Sequence, residues 1–264
     1  MQRPRFKKRW GQHHLVRSSA LRPLLDFLRP RGKWVAEVGP GAGILTRELL
    51  RLGATVTAWE IDLAWLFELC QRRLPGPLQL VAGDALSVDW SRLPPGALVV
   101  GNLPYNIATP LLDALLSSGA AISRIGVLIQ REVAERLVAA PGDRAYGALS
   151  VLTQARARVE YLGTVKASDF RPRPRVESAF VGLTPQRASQ GPPGGDWAQF
   201  RTTVLQAFSH RRKTLVNSLA AGWGRERATL LVGEAGFSSR VRAEELGVDD
   251  LALLARLERQ RSEN

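Results

Sequence analysis

Between residues 34 and 130, five apolar runs at 34–38, 55–60, 78–81, 97–101 and 125–130 alternate with helical patterns such as LTRELLRL (45–52) and LAWLFELCQRRL (63–74). Apolar runs bounded by turn signals and separated by helical periodicity are βαβ units, so the sheet is expected to be parallel and covered on both faces. The predicted fold class is therefore α/β. Two later runs, 161–165 and 179–183, flank a Pro-rich extended segment and are expected to add antiparallel strands at a sheet edge. GPPGG at 191–195 cannot continue a helix or a central strand and marks a linker. Beyond it the pattern is helical, with no convincing strand. The expected organisation is a sheet domain over 1–185 with a basic N-terminal segment, a linker over 186–195, and a small C-terminal α-helical domain over 196–264.

A chain of 264 residues at 45% hydrophobic composition can bury one large core and a small second one. It has no apolar run of the roughly 18 residues that a membrane span needs. Its N-terminus, MQRPRFKKRW, leads into charged sequence where a signal peptide would need an apolar stretch. A soluble, cytoplasmic protein is the expectation. One cysteine, Cys70, excludes an internal disulfide and a cysteine-cluster metal site, and is expected to be a small core residue on a helix. No metal is expected.

The net charge of +13 is unevenly placed: residues 1–33 carry ten Lys/Arg against one acid, residues 34–185 carry 15 against 14, and residues 186–264 carry 12 against 9. The excess lies at the N-terminal end, around Lys7, Lys8 and Arg9. Smaller clusters are Arg171, Arg173 and Arg175 in FRPRPRV, and Arg211, Arg212 and Lys213 in SHRRKTL. Such clusters with few compensating acids are the electrostatic footprint of a nucleic-acid binder.

The chemistry begins at EVGPGAGILTREL (37–49), where glycines including Gly39 and Gly41 leave a strand and enter a helix, letting backbone approach a ligand closely. Glu60 closes the second strand 21 residues after Gly39, where a carboxylate can accept bonds from both ribose hydroxyls. Asp84, after the third strand, is placed to accept from an exocyclic amine of a cofactor base. A dinucleotide dehydrogenase would share the first two features. The discriminator is Asn102-Leu103-Pro104-Tyr105 at the carboxyl end of a strand, where open α/β sheets bind ligands. An exocyclic amine on a nucleobase is a poor nucleophile whose two N–H bonds must be held by acceptors. The Asn102 side-chain oxygen offers one and the Leu103 carbonyl the other, with Pro104 fixing the local backbone and Tyr105 stacking on the base. Held so, the amine can attack an electrophilic methyl in line.

On these residues, and on KKRWGQHHL, EVGPGAGILT, GNLPYNIATPLL, LIQREVAERLVAAPGDRAYGALSV, SDFRPRPRVESAFV and QAFSHRRKTLVNSL, the chain resembles the bacterial small-subunit (16S) rRNA adenine N6,N6-dimethyltransferases. The resemblance covers nearly the whole chain. It implies a Rossmann-like methyltransferase sheet, S-adenosyl-L-methionine as methyl donor, and two adjacent adenines in the 3′-terminal hairpin loop of 16S rRNA as substrate, each methylated twice. It implies that Leu15, Gly39, Glu60, Asp84 and Asn102 lie at the family's cofactor positions and that Phe170 clamps the flipped adenine opposite Tyr105. The family typically reads GQNFL where this chain has Gly11-Gln12-His13-His14-Leu15, so His13 stands for an asparagine that contacts the cofactor and His14 for a phenylalanine. A small-subunit assembly intermediate is the expected partner and a monomer the expected state. The alternatives are a resistance-type 23S rRNA adenine-N6 methyltransferase, which is less expected to carry QAFSHRRKTLVNSL, and a non-catalytic nucleic-acid-binding assembly or transcription factor. Intact NLPY, Glu60 and Phe170 argue against lost catalysis.

Overall fold

The computed structural model describes residues 4, 6–7, 12–104, 107–119, 122–186, 196–210 and 212–262. They fall into two compact units, Met1–Ala134 with Arg158–Pro185, and Glu135–Ala157 with Gln186–Asn264.

In the first unit, β1 (His14–Leu15) and α1 (Arg22–Leu28) precede an alternating run. This run comprises β2 (Trp34–Val38), α2 (Ile44–Arg51), β3 (Thr55–Glu60), α3 (Leu63–Cys70), β4 (Leu78–Ala82), β5 (Leu98–Asn102), α4 (Ala108–Ser117) and β6 (Arg124–Gln130). The chain returns through β7 (Ala157–Val165), β8 (Phe170–Arg171) and β9 (Ser178–Pro185). A seven-stranded sheet runs in the order β4-β3-β2-β5-β6-β9-β7. Strands β4 to β6 are parallel and β9 lies antiparallel to β6. Val35, Ala36, Val99 and Val100 of the central strands are buried, as an apolar run covered on both sides requires. Leu24 and Leu28 of α1, Leu49 of α2 and Phe180 of β9 pack with Val35 and Val100 into one core.

Strand order reverses between β2 and β5, and such a switch point opens a crevice at the carboxyl ends of the strands. There a side chain on Gly101 would come within 2.7 Å of the Val38 carbonyl oxygen and 2.8 Å of the Leu103 side chain. Only glycine lets β5 deliver Asn102 so close to β2. Strands β1 and β8 form a separate two-stranded ribbon, with His14 opposite Arg171 and Leu15 opposite Phe170.

Cys70 lies on a helix but is exposed, not in the core. Trp65 and Leu69 make the buried i, i+4 stripe of α3, and Cys70 sits one residue further round. No described helix is long and apolar enough to cross a membrane.

The second unit is helical. It holds α6 (Ala148–Gln154), α7 (Trp197–Ala207), α8 (Leu215–Trp223), α9 (Arg225–Glu234) and α10 (Val248–Ser262), and the chain enters it through α5 (Arg131–Val138). Val151, Phe200, Val204, Leu219, Val232 and Leu251 form its core. Residues 135–157, counted with the sheet in the sequence division, cluster here for visible reasons. The Tyr146 hydroxyl donates to the Leu246 carbonyl at 2.9 Å, and Gln154 Nε2 donates to the Leu137 and Ala139 carbonyls. The GPPGG segment and the rest of 187–195 lie outside the described residues.

Candidate cofactor and adenine site

A cleft of about 390 Å³ opens at the switch point and is lined by Gln12, His13, Gly39, Glu60, Asp84, Asn102, Leu103 and Pro104 among others. Seven of these eight residues were singled out in sequence, and the fold brings them to one place. Gly39 and Gly41 take left-handed backbone, φ +67° and +50°, and a Cβ on Gly41 would meet the His14 ring at 2.7 Å. The glycine turn thus answers both a backbone demand and a close approach.

Glu60 ends β3 almost fully buried. Its Oε2 accepts the Gly41 N–H at 3.0 Å and its Oε1 the Asp62 N–H at 2.9 Å. Burial raises its pKa, and these two donors oppose the rise. A carboxylate oxygen can accept a second bond, so both ribose hydroxyls of a nucleoside can still be taken. Asp84 Oδ1 accepts the Leu86 N–H at 2.9 Å, an Asx turn that sets the carboxylate at the cleft. The carboxylate pair and the glycine turn fit a nucleoside cofactor.

Asn102 ends β5 with its Nδ2 donating to the His13 carbonyl at 2.7 Å. A carbonyl only accepts, so the amide nitrogen must face His13, and the amide oxygen remains the free acceptor of the pair. The Leu103 N–H donates to the Leu128 carbonyl at 3.0 Å, holding the chain to β6 one residue past the strand. The Pro104 carbonyl accepts from the Ile107 N–H at 3.1 Å, leading into α4. Tyr105 lies outside the described residues, as do Lys8, Arg9 and Arg211.

His13 Nδ1 donates to the Pro172 carbonyl at 2.7 Å, which fixes a proton on that nitrogen. His14 packs edge-on to Phe6 and Trp65, with ring centroids 5.1 and 4.4 Å away, so the imidazole fills an aromatic slot. Leu15 and Phe170 face one another across the β1–β8 ribbon, and Phe170 is 3% exposed in the apolar core. Lys7 forms an ion pair with Asp62 at 2.8 Å. Arg171, Arg173, Arg175, Arg212 and Lys213 are exposed.

Sequence reasoning passed over Glu37, which sits one residue before the end of β2 at 1% exposure and lines a small cavity of about 30 Å³ with His14, Gly39 and Asn102. A charge inside the run WVAEV was the available signal. Burial above all pushes its carboxyl up to about 8, with Thr46 pulling it back and the Glu60 charge adding. Among the described residues its Oε2 has no hydrogen-bond partner. His14 is pushed down to about 4 by burial, against the Asp62 charge.

The two shifts act oppositely on stability. Folded Glu37 keeps its proton up to about 8 against an ordinary 4.5, so its contribution is complete below 4.5 and is lost as pH rises toward 8. Folded His14 stays neutral down to about 4 against an ordinary 6.5, so its contribution is lost as pH falls from 6.5. Of these two groups only Glu37 acts above 6.5. Glu37→Gln should therefore make stability fall less between pH 6.5 and about 8 than it does in the parent. Denaturant unfolding at the ends of that window checks this, and parallel behaviour of the two proteins would mean that Glu37 is ionised when folded.

A family model described as ribosomal RNA adenine dimethylase matches residues 3–257. Ribosomal RNA small subunit methyltransferase A of Thiobacillus denitrificans is 40% identical over 245 residues, 92% of this chain and 94% of that protein. The protein of the same name in Myxococcus xanthus is 39% identical over 258 residues, 96% of this chain and 90% of its own length. Among solved structures, a dimethyladenosine transferase from Plasmodium falciparum superposes with a TM-score of 0.80 at 23% identity, covering 94% of this chain and 98% of that one. The 23S rRNA methyltransferase ErmE superposes with a TM-score of 0.66 at 23% identity, covering 92% and 99%. Both share the fold.

Proposed function

The chain belongs to the ribosomal RNA adenine dimethylase family, and from that premise we propose that it methylates N6 of two adjacent adenines in the 3′-terminal hairpin loop of 16S rRNA, twice each. S-adenosyl-L-methionine, bound in the cleft, supplies the electrophilic methyl. The observation that carries the reading is the Asn102 amide at the switch point, its nitrogen committed to His13 and its oxygen left to accept from an adenine amine. The Leu103 carbonyl takes the second N–H. In each round an N6–C bond would form as the donor's S–CH3 bond breaks, its electron pair staying on sulfur so that a neutral thioether leaves, and one N6 proton would go to water. Glu60 holds the ribose, Asp84 the base amine, and Gly39, Gly41, His13 and Leu15 shape the rest of the cofactor site. The small-subunit name carried by relatives about 40% identical over most of the chain favours this substrate over 23S rRNA. The decisive experiment incubates the protein with unmethylated small-subunit rRNA, free and in partly assembled particles, and maps dimethyladenosine. Modification confined to large-subunit rRNA would overturn the proposal.

The exposed arginines Arg171, Arg173 and Arg175, with Lys8, Arg9, Arg211, Arg212 and Lys213, are proposed to hold rRNA phosphates, fixing register while the pocket reads the flipped base. An assembling small subunit in the cytoplasm is the proposed setting and a monomer the proposed working state. Lys7 already neutralises Asp62 and has less charge to offer RNA.

Phe170 is proposed to back the flipped adenine opposite Tyr105. An adenine in a loop must leave its stack at a cost of a few kcal/mol, which such a clamp offsets. Because Phe170 is buried, Phe170→Leu is the informative change: it keeps most of the apolar volume, which an alanine would not, and removes the stacking face. Single-turnover methylation should slow while S-adenosylmethionine affinity stays unchanged, with the second methylation hit at least as hard. An unchanged rate would assign Phe170 to the core alone.

A further inference from the structure

The Asp62 N–H holds Glu60, but its side chain has no part in the ligand site described above, and yet that side chain is completely buried. Three donors converge on it. Oδ1 accepts from Lys7 Nζ at 2.8 Å and from the Ala64 N–H at 3.1 Å, and Oδ2 accepts from Gln12 Nε2 at 2.9 Å. Gln12 Oε1 in turn accepts the Lys7 N–H at 2.7 Å. Burial disfavours the charge, but the bonds from Lys7 and Gln12 outweigh it and hold the carboxyl below its ordinary range. Capping α3 needs only the bond to Ala64. The lysine and glutamine bonds do something else, and the residue after Gln12 shows what: His13 presents the carbonyl that Asn102 Nδ2 reaches.

We propose that Asp62 is a positioning residue for methyl transfer: by stapling Lys7 and Gln12 it holds the His13 carbonyl where that carbonyl locks the Asn102 amide, oxygen toward the adenine amine. The inference rests on the reading of Asn102 given above. The amide has two ends of similar shape and opposite hydrogen-bonding sense. Released from His13, it can turn over and set its own N–H bonds against those of the adenine, donor against donor. The staple makes that state costly, because turning the amide would also put Asn102 Oδ1 against the His13 carbonyl oxygen. Asp62 thus acts on N6 from a distance, through Gln12, His13 and Asn102 in turn.

Asp62→Asn separates the staple from the cap. The asparagine oxygen still accepts from Ala64 and Lys7, but its NH2 now meets Gln12 Nε2, another donor. Measured in the full protein on unmethylated small-subunit rRNA, at saturating S-adenosylmethionine, the single-turnover rate of Asp62→Asn should fall about 10- to 100-fold. Adding Gln12→Glu exchanges acid and amide across the same contact, leaves net charge unchanged, and should restore most of the rate. Placed on Asn102→Ala, Asp62→Asn should cost nothing further, since the group it positions is gone. A wild-type rate for Asp62→Asn, or an equal loss in both backgrounds, overturns the staple. If Asn102→Ala itself turns over normally, the reading of Asn102 fails and the staple with it, an outcome distinct from the first two.

Discussion

Asn102→Ala is expected to slow methyl transfer by about 10²- to 10³-fold at saturating S-adenosylmethionine while rRNA affinity holds within about twofold, because the lost amide oxygen orients the amine only as the methyl is taken. The substitution sits at the end of a strand whose interior stays fully packed, so the fold should survive it. The structure adds one qualification to the cofactor side. Asn102 Nδ2 also holds the His13 carbonyl, and His13 lines the cleft, so S-adenosylmethionine affinity should weaken modestly as the N-terminal segment loosens. Single-turnover rates, with separate titrations of cofactor and RNA, distinguish the three effects. Near-normal turnover would remove Asn102 from the chemistry.

The second large effect is expected at Glu60. Each of its oxygens takes a backbone N–H, from Gly41 and from Asp62, so Glu60→Gln must turn an NH2 toward one of those donors. The change therefore does more than dim a charge: it leaves a donor pair in conflict inside the glycine turn. Charge-assisted bonds to a carboxylate are worth about 1.5–3 kcal/mol, so affinity for S-adenosylmethionine should fall about 10- to 100-fold. Stability should drop by about 1–3 kcal/mol, the cost of an unsatisfied buried group. Calorimetric titration and denaturant unfolding read the two separately, and unchanged affinity would take Glu60 out of the cofactor site.

Much of this is legible in the sequence alone. Strands 34–38 and 55–60 stand where the apolar runs placed them, and the others differ by a few residues at their ends, because strands buried on both faces carry a continuous apolar signal bounded by sharp turns. Glu60, Asp84 and Asn102 were legible for the same reason, standing where those runs stop and a crevice must begin. What escaped has no local signature. A two-residue pairing such as β1 with β8 shows no periodicity. Asp62 draws no notice in sequence, and only the fold shows that one oxygen caps α3 while the other is taken by Gln12. Lys7 reads as one more basic residue of a charged arm, and its pairing with a carboxylate 55 positions away lies beyond any pattern. Glu37 is the exception, a charge inside an apolar run that the sequence does display.

The β1–β8 ribbon also has a meaning in time. His13 and Pro172, joined by a hydrogen bond, stand 159 positions apart, and β8 is made long after β1 leaves the ribosome. Loop closure of that length comes late, once the sheet has ordered the chain between. The β1 residues, made before the sheet, are thus expected to be seated after it. Until they are, the Asn102 amide lacks the His13 carbonyl, and a half-made chain carries the central strands without the contact proposed to aim Asn102.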